Sequence, residues 1–90
     1  MIGPITRMRD VTHIEHIITT FIVEEIAGRG AVIDPEENIF TSGYVDSVGI
    51  MRLIAHLEST LDVTIPPTEL VPQNFRTVRV MAAYLASRAS

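Results

Sequence analysis

The chain has 90 residues, 47% of them apolar, a net charge of −4 and no cysteine. That length makes one small domain with a modest core, and the apolar content argues against disorder. The missing thiols exclude disulfides, thiolate metal sites and a cysteine nucleophile.

All seven positive side chains are arginines, while residues 34 to 46 carry Asp34, Glu36, Glu37 and Asp46 with no base among them. Nucleic acid is therefore not an expected partner. The acidic loop points to partners with a positive surface, although each carboxylate taken singly is more simply solvated loop. No apolar run reaches membrane length and the N-terminus lacks a secretory apolar core, so a cytoplasmic protein without membrane insertion is expected.

In chain order, residues 1–9 lack periodicity and read as a flexible tail ahead of a domain over residues 10–90. Thr12 and Glu15 have the spacing of a capping box. Ile14, Ile17, Ile18, Phe21, Ile22 and Ile26 follow at helical spacing, and Gly28 and Gly30 end the run. A loop then covers about residues 29 to 45. Asp34-Pro35 starts a turn, and the Ile39-Phe40 pair is expected to pin the loop to the core.

A second helix is expected from Ser47 to Leu61. At 100° per residue its apolar positions form two groups. Ile50, Leu53, Ile54, Leu57 and Leu61 face one way, and Val48, Met51 and Ala55 lie roughly 140° away. One apolar side suffices for packing, so the second is either surface scatter or a contact strip for partners. Asp62 to Pro67 read as an extended exit. Residues 68–71 suggest a short third helical turn that stops before Pro72. Thr77 can cap a last helix with Val78, Met81, Ala82 and Leu85 inward. The fold expected is an all-α four-helix bundle: three longer helices, one short third helix, and a long loop between the first two.

Ser47 sits where free amides and the positive end of a helix dipole gather, a place that favours a covalently attached phosphate. Asp46 can cap the helix instead and leave the serine hydroxyl free. A serine at a helix start is, taken alone, usually no more than a cap. His13, His16 and His56 lack a ligand set, the acidic loop lacks calcium-loop positions, and Ser47 lacks a nucleophile elbow. Neither a metal nor a catalytic residue is expected.

The ordered set of features over roughly residues 11 to 88 resembles the acyl and peptidyl carrier proteins. It comprises an apolar first helix, a long loop with Phe40, then Gly43, Asp46-Ser47 and Val48, the run Leu53 to Pro66, and Glu69 to Val78. The resemblance implies that Ser47 accepts 4′-phosphopantetheine from coenzyme A through a phosphopantetheinyl transferase. The arm would hold acyl or aminoacyl groups as thioesters. Asp46 would assist recognition by the transferase. Gly43 and Tyr44 would shape the turn, and Val48, Met51, Arg52 and Ala55 would meet partners. Those partners would be an acyl- or aminoacyl-loading enzyme and a downstream acyltransferase, synthase or condensing enzyme.

Fatty-acid carriers have a strongly acidic second helix, whereas this one sets Arg52 and His56 against Glu58. A discrete carrier of specialised metabolism, moving amino acids or short acyl units, is therefore expected over a fatty-acid carrier. A monomer is expected, because no second large apolar surface is evident. The rival from another class is a helical adaptor with Ser47 as a mere cap.

Overall fold

The computed structural model describes residues 10–88, so the expected tail over residues 1–9 lies outside the described residues. Four helices make up the fold: α1, Val11–Phe21; α2, Ser47–Leu61; α3, Pro72–Phe75; and α4, Val78–Arg88. The all-α bundle with three longer helices, one short one and a long α1–α2 loop is as the sequence predicts. Among the described residues no helix is long and apolar enough to cross a membrane.

The start of α1 differs from the expected capping box. Asp10, not Thr12, is the N-cap, and its side chain accepts the Thr12 N–H at 2.9 Å. A carboxylate at the N-cap satisfies an orphan amide and meets the positive end of the dipole. Glu15 is drawn away to α4, where its Oε2 lies 3.4 Å from Arg79 Nε.

Helix α1 runs on into a π-helical segment, Ile22–Ala27, and ends at Gly28 with φ +99°. The wider turn accommodates a run crowded with β-branched residues. Its consequence for the site is local: Glu25 and Ile26 come to rest against α2.

The core is built from one stripe of each helix. Ile14, Ile18 and Ile22 pack with Leu53, Leu57 and Leu61 of α2 and with Val78, Met81 and Leu85 of α4. The largest helix–helix contact is between α1 and α4. Thr77 caps α4 as expected, its Oγ1 accepting the Val80 N–H at 3.0 Å.

The long loop is held by backbone as well as by packing. Ile39 is 1% exposed. Its N–H donates to the Arg76 carbonyl at 2.7 Å, and the Arg79 N–H donates to the Pro35 carbonyl at 3.0 Å. Two acids also serve the loop. Asp34 Oδ1 accepts the Glu36 N–H at 2.8 Å, and the Glu36 carboxylate is bonded by Arg79. Phe40 does not pin the loop. It is 42% exposed, because the turn set by Asn38 sends it away from the core side on which Ile39 lies.

The short third helix is placed differently from the sequence reading. Pro67–Glu69 forms only a 3₁₀ turn, and the helix begins at Pro72 instead of stopping before it. Proline is favoured at a first helical position, where its missing N–H would go unbonded anyway. The segment is tied to α4 through Tyr84, whose hydroxyl donates to Glu69 Oε1, and through Arg88, 3.5 Å from the same oxygen.

Two measurements check this account. Ile39→Ala should destabilise the fold by about 2–5 kcal/mol in urea titration, since it empties a sealed site and loosens the loop. Burial, and then the hydrogen bond to Glu69, push the Tyr84 phenol up to about 12. The neutral phenol is the form the fold prefers, so its contribution is whole below pH 10 and disappears as pH rises towards 12. Melting temperature should fall across that window, and fall less in Tyr84→Phe.

Candidate functional site

Asp46 and Ser47 divide two tasks at the start of α2. Asp46 is the N-cap, in extended backbone, and its Oδ1 accepts the Gly49 N–H at 2.7 Å. Its carbonyl accepts the Ile50 N–H at 2.9 Å. Ser47, the first helical residue, is exposed and its hydroxyl has no hydrogen bond among the described residues. The serine is therefore not the cap. Its oxygen stands in water beside the unpaired amides and positive end of α2, where an added phosphate oxygen finds donors and a favourable field.

The approach to this point is rigid. Gly43 turns with φ +88°, a conformation that disfavours any side chain. The Ser42 hydroxyl donates to the Ile39 carbonyl at 2.9 Å and accepts the Tyr44 N–H at 3.2 Å. Val45, 5% exposed, plugs the loop's end into the core. Gly49 is buried beneath the site, and a Cβ there would stand 3.2 Å from both Asp46 Oδ1 and Ile26 Cγ2. Glycine thus suits the close approach of Ile26 to α2's start, where a side chain would oblige its neighbours to shift by a few tenths of an ångström.

Around Ser47 the surface has two characters. Val48 and Met51 are 67% and 59% exposed, and Ala55 is exposed behind them. The second apolar stripe of α2 is left open by the bundle. A cleft of about 260 Å³ lies on the α1 side, lined by Gly43, Tyr44, Asp46, Val48, Arg52 and neighbours. The sequence-selected residues Gly43, Tyr44, Asp46, Val48 and Arg52 are thus brought together there, while Met51 and Ala55 lie outside that cleft.

Arg52 turns towards α1. It donates to the Glu25 carbonyl at 3.0 Å, lies 3.6 Å from the Glu25 carboxylate and sits over the Phe21 ring at 5.9 Å. His56 stacks on the same ring at 4.4 Å. Both α2 bases are folded onto α1, leaving the Val48–Met51–Ala55 strip uncharged. The Glu25 and Phe21 contacts cross 27 or more residues and left no signal in the sequence.

Sequence reasoning also missed a groove on the far side of α2. Phe40, Ile50, Met51, Ile54, Leu70, Val71, Pro72 and Phe75 enclose about 250 Å³, with only apolar residues as lining. Part of it was legible: Phe40 stands out in the sequence, while its convergence with Phe75 is tertiary. Among the described residues no set of three metal-ligating side chains converges, so His13, His16 and His56 form no metal centre.

Comparison with known proteins agrees with this geometry. A family model described as "Phosphopantetheine attachment site" matches residues 20–85. The D-alanyl carrier protein of Lactococcus lactis subsp. cremoris (strain MG1363) is 32% identical over 63 residues, covering 69% of this chain and 80% of that protein. That of Streptococcus suis (strain 05ZYH33) is 32% identical over 56 residues, covering 62% and 71%. No solved structure matches significantly. With residues 20–85 matching the family and an open serine at the head of its second helix, the chain belongs to the phosphopantetheine attachment family. It is a small non-catalytic helical carrier that presents thioester-linked intermediates to partner enzymes on a covalent 4′-phosphopantetheine arm.

Proposed function

We propose that Ser47 is the attachment point and that the cargo is an aminoacyl group. The observation that supports the first part is the free, exposed hydroxyl at the positive end of α2, beside a neighbour that already caps the helix. In the modification the Ser47 hydroxyl attacks the phosphorus of coenzyme A that bears the pantetheine. A phosphodiester forms, adenosine 3′,5′-bisphosphate leaves, and the serine proton passes to a base of the transferase. Once attached, the arm supplies a thiol that holds the carboxyl carbon of the cargo as a thioester. Everything else asked of the chain is presentation: a fixed anchor, an exposed tether and a surface that enzymes recognise.

Val48, Met51 and Ala55 are the contacts for those enzymes, with Gly43 and Tyr44 shaping the edge beside them. Arg52 contributes from the α1 side, its charge balanced by Glu25. An uncharged strip fits partners whose docking surfaces are apolar, and it does not fit those that read a row of acids. This favours an aminoacyl carrier over a fatty-acid carrier, and the D-alanyl carrier proteins among its relatives support the same choice. The partners are then a phosphopantetheinyl transferase, an amino-acid-activating enzyme that loads the arm and an acceptor enzyme that unloads it. We place the carrier domain over residues 10–90, working as a monomer in the cytoplasm, where the transferase finds coenzyme A.

Intact mass after incubation with coenzyme A and a broad-specificity transferase should rise by one phosphopantetheine, and Ser47→Ala should abolish the gain. An unmodified wild-type mass would instead favour a helical adaptor. Offered amino-acid-adenylating enzymes and a malonyl transferase, the modified chain should accept an amino acid. Efficient malonylation without aminoacylation would overturn the cargo assignment.

Asp46 has two separable roles. Asp46→Ala should lower stability by about 1 kcal/mol through loss of the cap and should also slow modification. Asp46→Asn keeps a capping oxygen, so it should retain stability in a denaturant titration while still slowing the transferase.

A further inference from the structure

Two grooves flank α2, and their chemistry differs. The one towards α3 is wholly apolar. The one between α1 and α2 is larger, about 470 Å³. Ile17 and Phe21 give it an apolar floor, and Glu24, Glu25, His16 and His56 stand around it. Glu25 is paired with Arg52. The exposed Glu24 carboxylate has no hydrogen bond or ion pair among the described residues. Two carboxylates, Glu24 and Glu25, thus face one guanidinium, Arg52, at this groove.

This groove adjoins the cleft beside Ser47. Arg52 lines the cleft, Glu25 lines the groove, and the two are hydrogen-bonded. Along α2, His56 lies nine residues beyond Ser47, roughly 13 Å by helical rise, which an extended phosphopantetheine arm spans. Cargo on the arm can therefore reach either groove, and chemistry decides between them.

An uncharged acyl chain is suited to the α3-side groove. An aminoacyl group carries an ammonium, which loses hydration without compensation among apolar side chains. The α1–α2 groove offers that ammonium a carboxylate and offers the amino-acid side chain an aromatic and aliphatic floor.

We propose that the aminoacyl group of the loaded carrier rests in the α1–α2 groove, its ammonium beside Glu24 and Glu25 and its side chain on Ile17 and Phe21. This rests on the aminoacyl reading of the cargo given above. One exposed ion pair is weak. The arm holds the cargo at a local concentration on the order of millimolar, so the ion pair and the apolar floor of Ile17 and Phe21 must act together to hold it. Resting there, the cargo leaves the Val48–Met51–Ala55 strip clear for the next enzyme.

The test loads the full chain from two coenzyme A analogues through a broad-specificity phosphopantetheinyl transferase. One bears alanine through an amide in place of the thioester, and the other bears an acetyl group. Intact mass verifies loading, and ¹H–¹⁵N spectra are compared with those of the cargo-free arm. The alanyl form should shift the amides of Glu24, Glu25, His56 and Thr60, and the acetyl form should not. Glu24→Gln should lose those shifts while keeping an otherwise native spectrum. The proposal is overturned by shifts confined to Leu70–Phe75, by equal shifts with both cargoes, by shifts that persist in Glu24→Gln, or by no change from the cargo-free arm. A chain that gains no mass overturns attachment at Ser47, and the cargo site with it.

Discussion

One hydrogen bond organises the functional end of this molecule: Asp46 Oδ1 accepting the Gly49 N–H at 2.7 Å. A helix start must satisfy its amides, and serine is among the residues best able to do so. Had Ser47 been the cap, its oxygen would be committed to the backbone. With the aspartate one residue earlier, the helix is capped and the serine side chain is released into solvent. The buried Gly49 lets this cap and Ile26 of the first helix approach within contact distance.

That arrangement needs a fixed loop leading into it. A connection this long loses much conformational entropy when it is ordered, and the compensation comes from few places. Ile39 fills a core site and Val45 plugs the loop's end. Two backbone bonds to the junction of α3 and α4 hold the stretch between Pro35 and Ile39. Glu36 and Asp34, which from sequence look like bait for a basic partner, bond to Arg79 and to the loop's own backbone. Much of the acidity in this loop thus serves its shape.

The same logic governs α2. Arg52 and His56 are spent on Glu25 and Phe21, so the second helix turns a neutral, apolar strip to solvent. On either side of the helix lies a groove, one wholly apolar and one ringed by carboxylates and imidazoles. A single helix thereby presents the exposed Ser47 at its start, an apolar strip beside it and two different grooves along its flanks.

Much of this was open to reading from sequence by itself. The spacing of Leu53, Ile54, Leu57 and Leu61, and of Val78, Met81, Ala82 and Leu85, encodes amphipathic helices, because burial on one face is a periodic requirement that leaves a periodic trace. The order of Gly43, Asp46, Ser47 and Val48 encodes a turn, a cap and a helix start for the same local reason: the three are neighbours in the chain. Tertiary structure decided what depends on partners distant in sequence. Asp10 displaced Thr12 as the first cap while Glu15 went to Arg79, 64 residues away. Phe40 turned outward while its neighbour Ile39 turned in, and Pro72 opened a helix that pattern alone had ended. Arg52 met Glu25 across 27 residues. Those choices are made by the packed chain, since a side chain able to bond in several ways is assigned its partner only when the bundle brings one within reach.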